Sequence, residues 1–266
     1  IALTDDLETL KNNSFQWLMT KRGNLMIEKL NQISNKIKNL SPLINQLKQQ
    51  AMLINYPLSD DFNIASKQLY QGQQILKSLI SWLDNNEPQH LLILLQNQSE
   101  IRPAGGFLGS FANAEITRGS LSNLEVRDIY DFDGQFKRKV IPPLPLQTIT
   151  TNWGARDANW FFDFPTSARK VIEFLENSEI YKERKINFTG AIAINTKVLE
   201  DIIEIIGPIT LTDYDLIIDS KNFLSSVQKE VEAGADNKAG RPKTILQKLT
   251  PLIFERLGQL NEDQKK

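Results

Sequence analysis

The run HLLILL at His90–Leu95 constrains the fold more than any other stretch. Leu91–Leu95 leaves no polar face, so a strand built from it has to be covered on both sides. That is the habit of strands inside α/β sheets rather than of half-solvated antiparallel ones. The spacing is helical before this run, while strands and helices alternate after it. An α/β sandwich with a mixed sheet from residue 90 to 266 follows. The loop NNEPQ at Asn85–Gln89 marks the boundary.

Residues 1–86 read as helices. Met26, Leu30, Ile33, Ile37, Leu40, Ile44 and Leu47 recur in steps of four and three, a heptad-like stripe. Ser41-Pro42 falls inside it, where a new helix could begin with Pro at its first position or one helix could kink. Asp60 or Asp61 is the candidate cap of a second helix carrying Ile64, Leu69, Leu76 and Leu83. Two arrangements fit the pattern: a helical hairpin packed on the main domain, or a stalk with a dimer seam.

Beyond residue 90, Phe107–Thr117 and Leu121–Ile129 read as two strands around the turn Arg118-Gly119-Ser120. Asp133–Phe164, broken by Pro142, Pro143 and Pro145, reads as a long surface loop whose aromatic residues argue against disorder. Thr166 or Ser167 would cap the next helix. TGAIAIN at Thr189–Asn195 is a strand and Val198–Ile206 a helix ended by Gly207. A short strand follows at Ile209–Thr212. A helix opened by Asp219 or Ser220 runs to Ala233, AGADNKAGRP is a flexible loop, and a final helix spans residues 243–260.

Composition removes several classes of chemistry. The chain has no cysteine, which excludes disulfides and thiolate metal sites, and one histidine, His90, which argues against a histidine zinc site or a serine–histidine triad. A net charge of −1 gives no electrostatic case for nucleic acid. No run approaches the roughly 20 apolar residues of a spanning helix. The chain begins at Ile1 rather than Met, the expected mark of a fragment.

Three clusters could carry chemistry. In QNQSEIRPAGG at Gln96–Gly106 a strand ends in a glycine turn, a common ligand position in α/β sheets. Arg102 offers a planar donor fork for phosphate or carboxylate, and Gly105 and Gly106 let a ligand approach the main chain. A surface turn with a Glu100–Arg102 pair fits the same residues. In VRDIYDFDGQFKRK at Val126–Lys139, strand alternation would put Arg127, Ile129 and Asp131 on one face and Asp128, Tyr130 and Phe132 on the other. Asp131 and Asp133, two apart, suit a hard cation such as magnesium, and a solvated strand end fits equally. In GARDANWFFDFPTSA at Gly154–Ala168, Arg156, Asp157 and Asp163 stand among Trp160, Phe161, Phe162 and Phe164. Those aromatics either anchor the loop or line a pocket for an apolar or sugar ligand. Asp163, just before a proline and a helix start, also suits a cap.

Taken in order, LLQNQSEIRPAGGF, IYDFDGQ, RDANWFFDFPTSA and TGAIAINTKVLEDIIEIIGPITL resemble a bacterial cell-envelope domain, number four thousand and twelve in the series of domains of unknown function. The resemblance covers about residues 90–255. It implies an N-terminal membrane anchor outside this chain, an extracytoplasmic location, and a further strand beyond the final helix. That domain is in turn distantly similar to the LytR-CpsA-Psr phosphotransferases, which move glycopolymers from a polyprenyl-pyrophosphate carrier onto the cell wall. This second likeness implies a three-layer α/β/α sandwich. It puts Arg102 in the place of a pyrophosphate-binding arginine, and Arg127-Asp128 at a strand end where that family has Pro-Arg-Asp. The site it implies has Asp128 and Asp131 as catalytic carboxylates, with Asp131 and Asp133 holding magnesium. Arg102, Gly105, Gly106, Arg127, Arg156, Asp157 and Asp163 would face a polyprenyl-phosphate-linked glycan or wall polymer. One departure is plain: Pro103-Ala104-Gly105 supplies no aspartate where the transferases have one. The readings are thus a glycopolymer transferase, a non-catalytic envelope module that binds a lipid-linked glycan or a partner, and a structural stalk and head.

Overall fold

The computed structural model describes residues 2–260, which divide into a helical unit and an α/β unit. The helical unit holds residues 2–88 together with the hairpin tip Ile116–Leu121, and the α/β unit holds Gln89–Glu115 and residues 122–260.

The helical unit has three helices, α1 (Ala2–Met19), α2 (Gly23–Leu53) and α3 (Asp60–Leu83). Along α2, Met26, Ile27, Leu30 and Ile33 are buried where α1 packs on it. Pro42 neither starts a new helix nor breaks this one: α2 runs through it, although proline has no N–H for the carbonyl four residues back. The cap of α3 is Ser59, which accepts from the Phe62 N–H at 3.3 Å, and Asp60 and Asp61 fall in the first turn instead. The hairpin tip is a tight two-residue turn with Arg118 at φ 48° and Gly119 at φ 68°. Its Ser120 hydroxyl accepts the Gly23 N–H at 2.9 Å, and Arg118 N–H donates to the Asn85 carbonyl at 3.0 Å. Gly23 and Gly119 approach so closely that a Cβ on Gly23 would lie 2.1 Å from the Gly119 carbonyl carbon.

The α/β unit is mixed, as expected from the alternation. Its four-stranded sheet runs β3-β2-β1-β4, from β1 (Gln89–Asn97), β2 (Phe107–Thr117), β3 (Ser120–Asp128) and β4 (Phe188–Asn195). β1 and β4 are parallel, in register from Leu91 opposite Gly190 to Gln96 opposite Asn195. Alternation along β1 explains the opening run. Leu92 and Leu94 are sealed in one apolar core with Leu108, Phe111, Val171 and Phe174, while Leu91, Ile93 and Leu95 on the other face are only half-buried. On β4 the neighbouring Ile192 is 44% exposed. The second face of the sheet is therefore partly uncovered, and the cleft described below forms against it.

The segment after β3 departs from expectation. The strand ends at Asp128, and Ile129–Asp133 is a short helix, α4, so strand alternation stops there. Asp133–Phe164 is a surface segment pinned to the core at separate points: Phe136, Leu146, Trp153, Ala155 and Ala158 are buried, while Ile141, Leu144, Ile149 and Phe162 are exposed. Helix α5 (Phe164–Glu176) is capped by Asp163 rather than Thr166 or Ser167. It leads through α6 (Glu179–Arg184) into β4. Helix α7 (Thr196–Ile206) ends at Gly207, φ 78°. The antiparallel ribbon of β5 (Ile209–Leu211) and β6 (Leu216–Ile218) follows, and β6 had no clear sequence signal. Asn222, not Asp219 or Ser220, precedes α8 (Phe223–Ala233). The expected flexible loop contains one turn of helix, α9 (Ala235–Lys238), before α10 (Thr244–Gly258). A second apolar core joins α7, the ribbon, α8 and α10 through Ile203, Ile209, Ile218, Phe223, Ile245 and Leu249. The expected strand beyond α10 lies outside the described residues. No described helix is long and apolar enough to cross a membrane.

Candidate functional site

The amides, arginine and glycines after β1 build a turn bonded to itself and to the Gly154–Asn159 segment. Gln96 Nε2 donates to the Ala104 carbonyl at 2.9 Å, and Asn159 Nδ2 donates to the Gly106 carbonyl at 2.8 Å. Gly106 stands at φ 147°, and a Cβ there would lie 2.6 Å from the Asn97 carbonyl oxygen, so only glycine fits. Gly105, at φ 112°, faces the Gln96 side chain in the same way.

Arg102 and Arg156 converge, and what they converge on is Asp157. Arg102 Nη2 lies 3.3 Å from Asp157 Oδ1, and Arg156 Nε lies 3.2 Å from Asp157 Oδ2. Asp133 completes the chain of charges, 3.9 Å from Arg156 Nε, with its carboxylate accepting the Ala155 N–H at 2.6 Å and the Arg156 N–H at 3.4 Å. Each guanidinium also covers an aromatic ring, Arg102 over Phe107 at 5.1 Å and Arg156 over Tyr130 at 5.2 Å. Two positive and two negative groups alternate, so the cluster is neutral and its arginine charge is compensated internally. Burial pushes the Asp133 carboxyl above the ordinary range, against the pull of the Ala155 and Arg156 N–H groups.

The remaining expected residues lie elsewhere. Arg127 pairs with Glu125 through Nε at 2.9 Å, Arg184 holds the same carboxylate at 2.9 Å, and Arg127 also lines a smaller hollow of about 250 Å³ with Asp128, Asp131 and Lys243. Asp163 is the α5 cap, accepting the Thr166 N–H at 2.9 Å, and its bond from the Thr166 hydroxyl lowers its pKa. Asp131 and Asp133, two positions apart on a helix, point in different directions: Asp131 lines the cleft, while Asp133 faces the Gly154–Arg156 turn. The pair expected to hold magnesium is not brought together. No group of three or more carboxylate or histidine side chains with metal-binding geometry occurs among the described residues.

A cleft of about 540 Å³ opens in the α/β unit at the C-terminal ends of the parallel strands β1 and β4. Part of its lining is apolar: Leu95 and Ile194 from the half-covered face of the sheet, Leu199 from α7, Phe223 and Val227 from α8, and Leu246 from α10. The rest is polar, with Asn97, Glu100, Asp128, Asp131, Asn195 and the cation Lys243. Asp128 fixes the start of α4 through the Tyr130 N–H at 3.0 Å. Burial raises its pKa, while that N–H bond and the charge of Lys243 oppose the rise. Ser110 is buried and also lines the cleft. Gly109 opens the floor of the cleft, where an added Cβ would meet Lys243 Nζ at 3.4 Å and the Phe107 ring at 3.6 Å.

Of the expected site residues, only Asp128 and Asp131 line this cleft; Arg102, Arg156, Asp157, Gly105 and Gly106 form the turn and charge cluster instead. Sequence reasoning missed Gly109, Asn195, Leu199, Phe223 and Lys243. One signal was available: the strand-end rule that singled out QNQ after β1 applies equally to Asn195 after β4. Lys243 gave none, because only the fold carries the start of α10 back across β2.

The model of a family described as a protein of unknown function (DUF4012) matches residues 86–231, more than half of the 266-residue chain. The chain belongs to this family. No curated protein and no solved structure matches it. The match starts in the boundary loop, takes in the sheet and α7, and ends within α8, so it covers most of the cleft wall but leaves out Lys243 and Leu246.

Proposed function

We propose that this family member is a binding module of the bacterial cell envelope that takes a lipid-linked glycan, the apolar chain lying in the cleft and the sugar at its rim. The observation that carries the reading is a cleft lined in part by apolar and in part by polar side chains at the ends of two parallel strands. Its volume of about 540 Å³ falls within the range of small-molecule sites. Lys243, in the polar part of the lining, is the candidate partner for a phosphate between chain and sugar. Membrane anchorage and an extracytoplasmic location come with the resemblance noted in the sequence and belong to the proposal. So does a three-layer sandwich of the LytR-CpsA-Psr kind, supported by apolar clusters around α5 and around α7, α8 and α10.

Binding is preferred over phosphoryl transfer because Arg102 and Arg156, the groups expected to neutralise a pyrophosphate, are matched by Asp157 and Asp133. One observation favours turnover as a second reading: Asp128 is buried, lines the cleft and has a raised pKa, as a general base can. Calorimetric titration with farnesyl phosphate, farnesol and inorganic phosphate separates the contributions. The reading predicts farnesyl phosphate to bind most tightly, farnesol more weakly, and phosphate alone least. Failure of both prenyl compounds to bind would remove it.

A further inference from the structure

The charges lining the cleft are out of balance. Four carboxylates line it, Glu100, Asp128, Asp131 and Glu232, against a single lining cation among the described residues, Lys243. Three of the four stand together. The Asp128 carboxyl, raised first by burial, is pulled down by the charge of Lys243 and pushed up by that of Asp131. The Tyr130 hydroxyl, also raised first by burial, feels both Glu100 and Asp128. Neighbouring cations do not correct the imbalance, because each already has an acid. Arg102 and Arg156 meet Asp157, Arg127 meets Glu125, Arg241 lies 3.8 Å from Asp236, and Lys197 lies 2.8 Å from Asp201. Glu100, Asp131 and Glu232 are exposed and have no ion pair among the described residues.

A second observation is independent of charge. Ser110 is 5% exposed and lines the same cleft, and its hydroxyl has no hydrogen-bond partner among the described residues. A hydroxyl buried to this extent is normally paired. An ammonium group has three donors and no acceptor, so it can bond a hydroxyl oxygen and carboxylates at once.

We propose that the head group taken by this cleft carries a free amine, which makes the ligand class a lipid-linked amino sugar rather than a neutral sugar. The proposal rests on the lipid-linked glycan reading and narrows it. Lys243 meets the phosphate, while Glu100, Asp131 and the Ser110 hydroxyl meet the ammonium, so both signs of a zwitterionic head group are matched. A neutral sugar would leave the carboxylates unanswered and the phosphate facing them.

Calorimetric titration of the whole chain with octyl glucoside, octyl 2-amino-2-deoxyglucoside and octyl N-acetylglucosaminide, each below its micelle concentration, isolates the amine. Chain and ring are shared, and only the second carries a positive charge. It should bind about tenfold tighter than the other two at low salt, the low end for a charge-assisted bond, and the advantage should shrink as salt screens the exposed carboxylates. In Glu100→Gln with Asp131→Asn the advantage should disappear. Both side chains are exposed, so the variant should keep the wild-type circular dichroism spectrum. Equal binding of all three glycosides by the wild type would overturn the amine and leave the lipid-linked glycan reading standing, since chain and sugar are still taken. An advantage that survives in the double variant would also overturn it. Failure of all three where farnesyl phosphate binds would overturn it as well, and failure of the prenyl compounds too would remove both readings.

Discussion

Replacing Asp157 by alanine should destabilise the α/β unit rather than abolish a charge-dependent function. The carboxylate is 6% exposed and bridges two guanidinium groups, at 3.3 Å and 3.2 Å. Its loss leaves Arg102, 18% exposed and with an Nε that already lacks a partner, without its counter-ion. Removing one partner of a fully buried pair costs about 3–5 kcal/mol. Arg156, 30% exposed, can recover hydration, so the expected loss is about 3 kcal/mol, at the lower end of that range. For a unit of this size that corresponds to about 6–12 °C in Tm. The Trp153 indole keeps its bond to the Asp157 backbone carbonyl in the variant, so the change isolates the carboxylate. Chemical and thermal denaturation of wild type, Asp157→Ala, Arg102→Ala and the double variant form a complete cycle. The double variant should lose less than the sum of the singles by about 1 kcal/mol or more, because both remove the same interaction. A Tm for Asp157→Ala within a degree or two of wild type, or strict additivity, would refute the compensated cluster and return Arg102 to the list of groups free to hold a ligand.

Gly23→Ala should cost about 1–3 kcal/mol, since the new methyl group would sit 2.1 Å from the Gly119 backbone; unaltered denaturant midpoints would show that the contact is not made. Asp128→Asn should raise Tm at pH 7 and flatten its pH dependence. Burial raises the Asp128 pKa, so its stabilising contribution is complete below about pH 4 and is lost as pH rises through the raised value. Asparagine keeps an acceptor for the Tyr130 N–H, and a lower Tm for this variant at pH 7 would contradict the assignment.

Much of the fold was legible because it rests on short-range pattern. HLLILL, the two strands around Arg118-Gly119 and the stretch TGAIAIN all declare themselves by periodicity and turn chemistry, and each became a strand. How deeply the Asp133–Phe164 segment is pinned was hidden because its buried residues follow no period: Phe136, Leu146 and Trp153 reach the core singly, and proline spacing hides that. Pro42 shows the reverse case, where packing along α2 overrides a local helix breaker. The site was less legible than the fold. Arg102, Arg156 and Asp157, expected to face a ligand, lie together and pair with one another, and sequence carries no information on whether charges face a ligand or each other. The cleft depends on Leu95, Ile194, Phe223 and Leu246, ordinary apolar residues whose significance arises only where one face of the sheet is left partly uncovered.

The most direct test of the cleft as a lipid-chain site is farnesyl phosphate titration of Gly109→Leu beside wild type. Gly109 lines the cleft without a positive φ, so leucine can be accommodated by the backbone, and its side chain would project toward Lys243 Nζ and the Phe107 ring. The account predicts that Gly109→Leu keeps the wild-type Tm to within a few degrees and loses at least about tenfold in affinity, equivalent to about 1.4 kcal/mol. Undiminished binding by a folded Gly109→Leu variant would contradict it.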